Sequence, residues 1–342
     1  MTRSAPRTLL CAIVLLCAPV ARAQDAKPID PGPWKFGSTA GLTLTQSSFS
    51  SNWAGGDKGS LVWVLNGDAR AERQFSTRFN LTNTLQLAYG QTSRQSADPA
   101  DPSKLVWGTP DKTTDLIAFE STGRWTLQSL VDPYLAFRAE SQFSDRSNPL
   151  GAITLNPIKL KESAGVARVL LKAEDREAIT RVGFGFRQTL AKTIVDPATL
   201  ARESFTSNDG GIEWNTTATY PMLEKKVIYK GSLLVFKPLF YSKADALDAF
   251  DAAAIAADPT REPVTDFWKS ADVNFLNTFT AGIAKHLSVA LLAHLVYDKF
   301  DSAANVDNAQ PLATQIPEID KNIRKAGQFK QTLSIALTYQ LF

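Results

Sequence analysis

The side chains of this 342-residue chain that could carry out catalysis are few, and two of them lie close together. The chain has two histidines, His286 and His294, and Ser288 follows His286 by two positions. A histidine and a serine at this spacing on one lipid-facing strand would suit a membrane-embedded lipid hydrolase. However, His286 falls in a short predicted turn. Ser288 lies on the same face of its predicted strand as His294, and not on the more apolar face that would contact lipid. We therefore predict no catalytic residues and no enzyme activity.

A second set of side chains is charged and occupies every other position of apolar–polar segments. Inside a barrel, such residues either form a paired network that fills the space or give an arginine-rich wall with a mild preference for anionic solutes. Asp68, Glu72 and Lys230 also lie on the polar face of such alternating segments. The candidate lumen-lining residues are Arg70, Arg78, Glu120, Arg124, Arg138, Glu140, Arg168, Arg181, Arg187, Glu213 and Asp272.

No cofactor or metal site is expected. The acidic segments 96–103 and 301–308 lack the spacing of an EF-hand and are interpreted as solvated loops. His294 has Asp298 four residues later, and we interpret it as a hydrogen-bonded lumen histidine rather than a metal ligand.

The first residues have the pattern of a secretory signal peptide. A basic start precedes an apolar run at 9–20, and a small-x-small site follows at 21–23. We therefore predict a signal peptide at 1–23 and a single domain at 24–342. Segment 1–23 holds both cysteines and three arginines, so the remainder has as many basic as acidic residues. This balance gives no reason to expect a nucleic-acid partner.

Apolar residues alternate with polar ones along most of the chain, which predicts β-strands. The clearest example is 77–92, where Phe79, Leu81 and Leu85 oppose polar neighbours. The apolar parity continues through Asn66-Gly67, so we predict one strand there despite this hairpin signal. The twelve predicted strands lie at 34–46, 59–72, 77–92 and near 113–128, 133–143, 163–172, 179–190, 211–220, 227–240, 266–284, 287–300 and 326–342.

The connections between these strands alternate in length. Those after strands 2, 4, 6, 8 and 10 are short, whereas those after the odd-numbered strands are longer. This alternation over an even number of strands is typical of outer-membrane barrels, with short periplasmic turns and long external loops. We therefore predict an all-β fold: a single transmembrane, up-and-down antiparallel β-barrel of about 12 strands. A soluble sandwich is the alternative, but it has no reason to sort its loops by length.

Aromatic residues are concentrated at strand ends, which favours two interfacial girdles over a sandwich core. Beside the short turns lie Trp34, Phe36, Phe75, Phe79, Trp125, Tyr134 and Phe342. Beside the long loops lie Trp63, Tyr89, Phe143, Phe240, Tyr241, Phe267, Trp268, Tyr297 and Phe300.

The loop after the ninth predicted strand is rich in alanine and predicts a helix over about 243–257, ended by Pro259. Leu247, Phe250 and Ala254 can share one face of this helix. The helix is expected either to cap the barrel, to fold into its mouth or to lie solvated in the loop.

The stretch Asn52, Trp53, Gly55 and Gly56 resembles the Asn-Trp-x-x-Gly-Gly signature of a functionally uncharacterised family of Gram-negative outer-membrane β-barrel proteins. We interpret this stretch as a structural loop, with ligand contact as the alternative. The final strand, with Tyr339 and Phe342, resembles the aromatic-ended signal that is recognised for outer-membrane insertion. The resemblance implies a Gram-negative outer-membrane location, the bilayer and the assembly machinery as partners, and no known binding residues.

The most consistent functional interpretation is a monomeric, narrow or partly plugged channel for small solutes, with a mild preference for anions. Two alternatives remain open: a non-conducting structural or surface-binding barrel that acts through its external loops, and a membrane-embedded lipid hydrolase.

Overall fold

The computed structural model describes residues 30–47, 58–101, 103–127, 129–148, 150–173, 175–194 and 198–341. The predicted signal peptide at 1–23 lies outside the described residues and stays a prediction.

The described residues form thirteen strands, of which β4 is a three-residue strand inside a long loop. The other twelve correspond to the twelve predicted strands. The strands are β1 (Lys35–Ser47), β2 (Ser60–Ser76), β3 (Phe79–Ala97), β4 (Leu105–Trp107), β5 (Asp111–Trp125), β6 (Asp132–Ser141), β7 (Ile158–Lys172), β8 (Glu177–Ile194), β9 (Arg202–Met222), β10 (Val227–Tyr241), β11 (Asp272–Gly282), β12 (Leu287–Tyr297) and β13 (Gln328–Gln340).

The sheet closes on itself because the first strand pairs with the last. β1 pairs antiparallel with β2 along its whole length and with β13 on its other edge, where Gly41 lies opposite Thr338. Each remaining barrel strand pairs with its neighbours in the chain, and β4 pairs only with β3. The prediction of a closed, antiparallel 12-stranded barrel is therefore confirmed. Strand β2 runs through Asn66 and Gly67 without interruption, as predicted.

Short and long connections lie at opposite ends of the barrel, here named the short-turn end and the long-loop end. The short connections are 77–78, 126–131, 173–176, 223–226 and 283–286. One predicted long loop is mostly strand: β8 and β9 continue to Ile194 and from Arg202, which leaves only 195–201 between them. Residues 202–209 at the start of β9 are mostly polar, so apolar alternation did not reveal this part of the hairpin.

The outer face of the barrel is apolar and exposed. On β13 the odd-numbered residues from Leu333 to Leu341 are exposed, including Leu333 at 62% and Tyr339 at 58%. Ser334, on the opposite parity, is buried inside the barrel. Exposed apolar residues on one parity recur around the sheet, for example Phe137 on β6 and Phe184 on β8.

Aromatic rings form a continuous row outside the short-turn end. Trp34 contacts Phe36 and Phe75, with ring centroids 6.2 and 5.7 Å away. Phe75 contacts Phe79 at 6.0 Å, and Phe79 contacts Trp125 at 5.1 Å. This part of the predicted short-turn girdle is present over β1, β2, β3 and β5.

Three aromatic residues predicted for the long-loop girdle instead belong to a small buried core. Tyr241, Phe267 and Phe300 are buried together with Leu247 and other residues. Helix α1 (Ala244–Ala257), a 3₁₀ turn (Phe267–Lys269) and helix α2 (Leu312–Asp320) contribute to this core. We call residues 242–271 and 298–327 the cap. The three rings are buried in the cap because the long connections pack against one another and supply apolar contacts.

The cap confirms the predicted helix and its apolar face. Leu247, Phe250 and Ala254 are the buried apolar residues of α1, and Trp268 packs against the same core. Asp251 is also buried on α1, and its Oδ2 accepts hydrogen bonds from the backbone N–H groups of Val264 and Thr265. Helix α2 was not predicted, because it has only nine residues and contains Pro317.

Candidate functional site: the charged lumen beneath the cap

Contacts between strands that are not neighbours in the sheet identify the inward-facing side chains. Arg181 on β8 binds Glu120 on β5, and Arg187 on β8 binds Asp272 on β11. None of these strand pairs shares an edge, so the side chains meet through the interior. The even-numbered residues of β5 and β6 and the odd-numbered residues of β8 and β9 therefore line the lumen.

The first cluster of lumen charges lies between β5, β6 and β8. Arg181 Nη1 is 3.0 Å from Glu120 Oε1, and Arg138 Nη1 is 3.5 Å from Glu120 Oε2. Arg138 Nη2 also donates to Glu140 at 2.8 Å. The Arg181 guanidinium lies 5.6 Å from the ring centroid of Tyr134. Arginines and carboxylates thus alternate, so neither sign of charge accumulates in this cluster.

Tyr134 belongs to this cluster and not to the short-turn girdle for which it was predicted. It is only 2% exposed and has the parity of Arg138, opposite to the exposed Leu135 and Phe137. The aromatic type of the residue suggested the girdle, but the strand's alternation turns the ring inward, where Arg181 covers it.

The second cluster lies between β7 and β11. Arg187 binds Asp209 through two hydrogen bonds, with Nε–Oδ1 at 2.6 Å and Nη2–Oδ2 at 2.7 Å, and Nη1 is 2.9 Å from Asp272 Oδ2. A fork-shaped arginine suits such bidentate pairing. Lys161 donates to the buried Glu213 at 2.7 Å. These ion pairs link β7 to β9, and β8 to β9 and β11, across the inner face of the sheet.

Glycines on the inner wall make room for the large residues of this cluster. Phe236 is 1% exposed, its ring lies 3.8 Å below the Arg187 guanidinium, and its Cε2 is 3.3 Å from the position of a Cβ on Gly185. A Cβ on Gly211 would lie 2.0 Å from the carbonyl oxygen of Lys237. This wall therefore requires glycine for close backbone approach.

The opposite wall of the lumen carries small, neutral residues. The inward parity of β1 and β13 consists mainly of glycine, alanine, serine and threonine, and β12 adds Leu292, His294 and Val296. Lys330 on β13, Asp68 on β2 and Lys230 on β10 also face the lumen and are exposed. Bulky ion pairs thus occupy one side of the lumen, and mostly smaller residues occupy the other.

A cavity of about 200 Å³ lies at the long-loop end, between the inner wall and the cap. Its charged lining consists of Arg138, Glu140, Lys159, Lys161, Arg187, Asp272, Asp298 and Asp301. The connection after β12 borders the cavity through Ser302, whose carbonyl oxygen accepts a hydrogen bond from Ser207 Oγ at 2.5 Å. Phe300 belongs both to this lining and to the cap core.

Two carboxylates of this lining lie beyond the end of β12 and differ in pKa. Burial and the neighbouring charge of Asp301 raise the pKa of Asp298. Burial also opposes ionisation of Asp301, but Lys159, the backbone N–H of Ala303 and Arg324 together hold its pKa below its usual value. Arg324 lies 3.2 Å from Asp298 and 3.7 Å from Asp301, so one guanidinium serves two carboxylates.

Several candidate lumen residues face the interior in the structure. Arg124 lies 4.0 Å from Asp132, and Arg70 lies 2.8 Å from Glu72. The inward set further comprises Glu120, Arg138, Glu140, Arg181, Arg187, Glu213 and Asp272. Whether these residues contact a solute stays a prediction.

Two candidates require correction. Arg78 is exposed in the turn between β2 and β3. It therefore does not face the lumen, although its even number was the basis for predicting that it would. Arg168 shares the parity of the exposed Val166 and lies opposite Thr180, whereas the buried Ala167 lies opposite the inward-facing Arg181. Arg168 therefore projects from the outer face of the barrel near the short-turn end.

Some lumen residues were missed because two strands begin earlier than predicted. Lys159 and Lys161 lie on β7 before residue 163, and Asp209 lies on β9 before residue 211. The alternation of Ile158 and Leu160 with the two lysines was the available signal, but the nearby prolines obscured it.

The histidines do not form the arrangement of a hydrolase. His286 lies in the turn before β12, stacks on Tyr339 with centroids 5.2 Å apart, and approaches the Thr338 carbonyl oxygen. Ser288 Oγ donates to the Ala336 carbonyl oxygen instead. His294 Nε2 lies 2.9 Å from Asn274 Oδ1. Across the described ranges, no group of three or more His, Cys, Asp or Glu side chains is arranged to hold a metal ion.

Other predictions fall on residues beyond those described. The signature residues Asn52, Trp53, Gly55 and Gly56 and the terminal Phe342 all lie outside the described ranges. Tyr339 of the predicted assembly signal is described and projects from the outer face of β13. In the described part of the chain, neither helix combines the length and hydropathy needed to span a bilayer.

The profile of a family described as a protein of unknown function (DUF3078) matches residues 44–146. This range includes the signature stretch, and the description agrees with the expected resemblance to an uncharacterised family. No curated protein matches the chain.

Among solved structures, the chain is similar to the translocator domain of the autotransporter NalP from Neisseria meningitidis, at 7% identity and a TM-score of 0.34, covering 92% of this chain and 90% of that one. It is also similar to the COG4313 outer membrane channel from Pseudomonas putida F1, at 12% identity and a TM-score of 0.36, covering 92% and 96%. A third is OccK7 (OpdD) from Pseudomonas aeruginosa, at 8% identity and a TM-score of 0.27, covering 91% and 100%.

Proposed function

We propose that the protein spans the outer membrane of a Gram-negative bacterium as a monomeric barrel and acts as a narrow channel for small polar solutes. The observation that carries the proposal is the opposite chemistry of the two barrel faces. The outer face presents exposed apolar residues such as Leu333 and Ile335, while the inner face holds charged and hydroxyl-bearing residues. A closed sheet leaves no unpaired edge, which lipid requires of a spanning strand structure.

The uneven filling of the lumen supports a narrow channel over a wide pore or a solid plug. Ion pairs occupy the wall from β5 to β11, and mostly small residues line β1 and β13. Lys230 on β10 and Lys330 on β13 face the lumen, are exposed, and lie beyond 4.0 Å from every carboxylate of the described residues. Their charges favour small anions.

Single-channel recording in planar bilayers tests this proposal. We expect steady, small conductance and a reversal potential in a KCl gradient that indicates anion preference. The double variant K230E/K330E is expected to reduce or invert this preference. K104E, which changes an exposed loop lysine, is the control and is expected to leave the preference unchanged.

Protein that inserts but does not conduct would overturn the channel proposal. The membrane-spanning barrel would itself be contradicted if a variant lacking residues 1–23 folded as a soluble protein without detergent.

The cap favours a second candidate, a non-conducting barrel that binds through its external surface. Two helices and a buried core cover part of the long-loop end. Conductance that appears only after the cap is destabilised would support this candidate.

A further inference from the structure

We propose that the cavity beneath the cap binds a small zwitterionic solute of amino-acid size, with the solute's carboxylate at Lys159 and its ammonium at Asp298 and Asp301. This inference deepens the proposed channel function and takes its physiological meaning from it. Binding itself can be measured whether or not the barrel conducts.

The size of the cavity restricts the solute. Its volume of about 200 Å³ is smaller than the roughly 300–1,000 Å³ of pockets that hold drug-sized ligands. Leu234 and Phe300 supply apolar surface, and the remaining lining is largely charged. These dimensions suit a solute with few heavy atoms and charged ends.

One wall of the cavity carries a positive charge with no direct partner. On β7, Lys161 is neutralised by Glu213 at 2.7 Å. Lys159 is two residues away on the same face, yet no carboxylate of the described residues lies within 4.0 Å of its Nζ. A partly exposed ammonium in a small cavity is an available donor for the carboxylate of a solute.

The facing wall carries an excess of negative charge. Asp298 and Asp301 share the single guanidinium of Arg324, and Asp298 Oδ1 is buried without a hydrogen-bond partner in the described part of the chain. Asp272, which also lines the cavity, shares Arg187 with Asp209. Burial and the neighbouring charge of Asp301 raise the pKa of Asp298, and an added ammonium beside it would oppose that shift.

The two walls interact electrostatically but are not in contact. Lys159 attracts Asp298 and Asp301 without reaching ion-pair distance to either. A simple anion at Lys159 would face the excess carboxylates, and a simple cation at the carboxylates would face the lysine. A solute with both charges satisfies both walls, and its carboxylate and ammonium each gain a charge-assisted hydrogen bond.

Calorimetric titration of the purified, folded full barrel in detergent micelles tests this inference. L-Alanine is the probe, and propionate and ethylamine, which each keep one of its charged groups, are the comparison solutes. We expect L-alanine to bind at least about tenfold more tightly than either, because each charge-assisted hydrogen bond contributes roughly tenfold or more. Lys159→Gln and Asp298→Asn are each expected to weaken L-alanine binding by a similar factor.

Lys104→Gln and Asp68→Asn are the controls, since Lys104 lies in an exposed loop and Asp68 faces the lumen outside the cavity, and they are expected to bind L-alanine as the unchanged protein does. The inference is overturned if L-alanine does not bind, if propionate or ethylamine binds equally well, or if Lys159→Gln and Asp298→Asn leave affinity unchanged. A conducting barrel with no L-alanine binding would reject this site and leave the channel standing. Binding to a non-conducting barrel would retain the site and reject the channel.

Discussion

Arg181 and Glu120 meet across the lumen although their strands, β8 and β5, are separated by two others in the sheet. Both terminal nitrogens of the guanidinium donate to Glu120 Oε1, at 3.0 and 3.1 Å. The contact links two walls of the barrel directly, and Arg138 approaches the other carboxylate oxygen. Glu120 is therefore the centre of an interaction that fixes the cross-section of the barrel.

Replacing Glu120 with Gln is expected to destabilise the folded barrel. The substitution leaves the guanidinium groups of Arg138 and Arg181 close together with one fewer negative charge between them. Losing hydrogen bonds to a charged partner costs about 1–3 kcal/mol. Denaturant unfolding of the lipid- or detergent-embedded protein measures the change. Asp68→Asn, at an exposed lumen position, is the control and is expected to have little effect, and equal stability of the two variants would contradict the prediction.

Replacing Gly165 with Ala is expected to impair folding. A Cβ at this position would lie 2.2 Å from the Val182 carbonyl oxygen and 2.5 Å from the Gly183 Cα, so backbone atoms of β8 must shift. We expect a loss of about 1–3 kcal/mol, the usual cost of overpacking. The yield of folded barrel, judged by heat-dependent mobility in gels, is the measurement. Gly37→Ala is the matched control on β1, because its Cβ meets nothing within 4 Å, and it should fold normally.

Replacing Phe250 with Ala is expected to loosen the cap without opening the barrel. Phe250 is 1% exposed in the cap core, and truncation of a buried phenylalanine costs about 3–5 kcal/mol locally. Limited proteolysis should cut 242–271 faster, while the strands remain resistant. Asp248→Ala, on the exposed face of α1, should not change the cleavage rate. Unchanged cleavage of the Phe250 variant would show that the cap does not depend on this core.

Deleting Phe342 is expected to reduce assembly in cells more than it reduces the stability of the folded barrel. The terminal aromatic resembles an insertion signal, and the neighbouring β13 pairs with β1 up to Gln340 without it. Surface levels in cells and the unfolding midpoint of the purified protein separate the two effects. Normal surface levels of the shortened chain would contradict the prediction.

The strand pattern explains which candidate residues lie on the inner face of the barrel. Arg138, Arg187 and Glu213 lie within regularly alternating strands, where parity alone assigns the inner face. Parity was insufficient for Arg78, which lies in a turn, and the parity of Arg168 was assigned on a strand that is apolar on both faces. Tyr134 was misjudged because residue type was given more weight than strand alternation.

The sequence by itself determined the strands with two chemically opposite faces and the helix of the cap, because each rests on local periodicity, and the alternation of short and long connections determined the antiparallel barrel. Only the tertiary structure decided that Glu120 pairs with Arg181, that Phe300 joins the cap core and that Lys159 and Asp298 line one cavity. Such partners depend on strand order, on register accumulated around the whole sheet and on how two distant loops pack together. None of these is encoded in the pattern of any single strand.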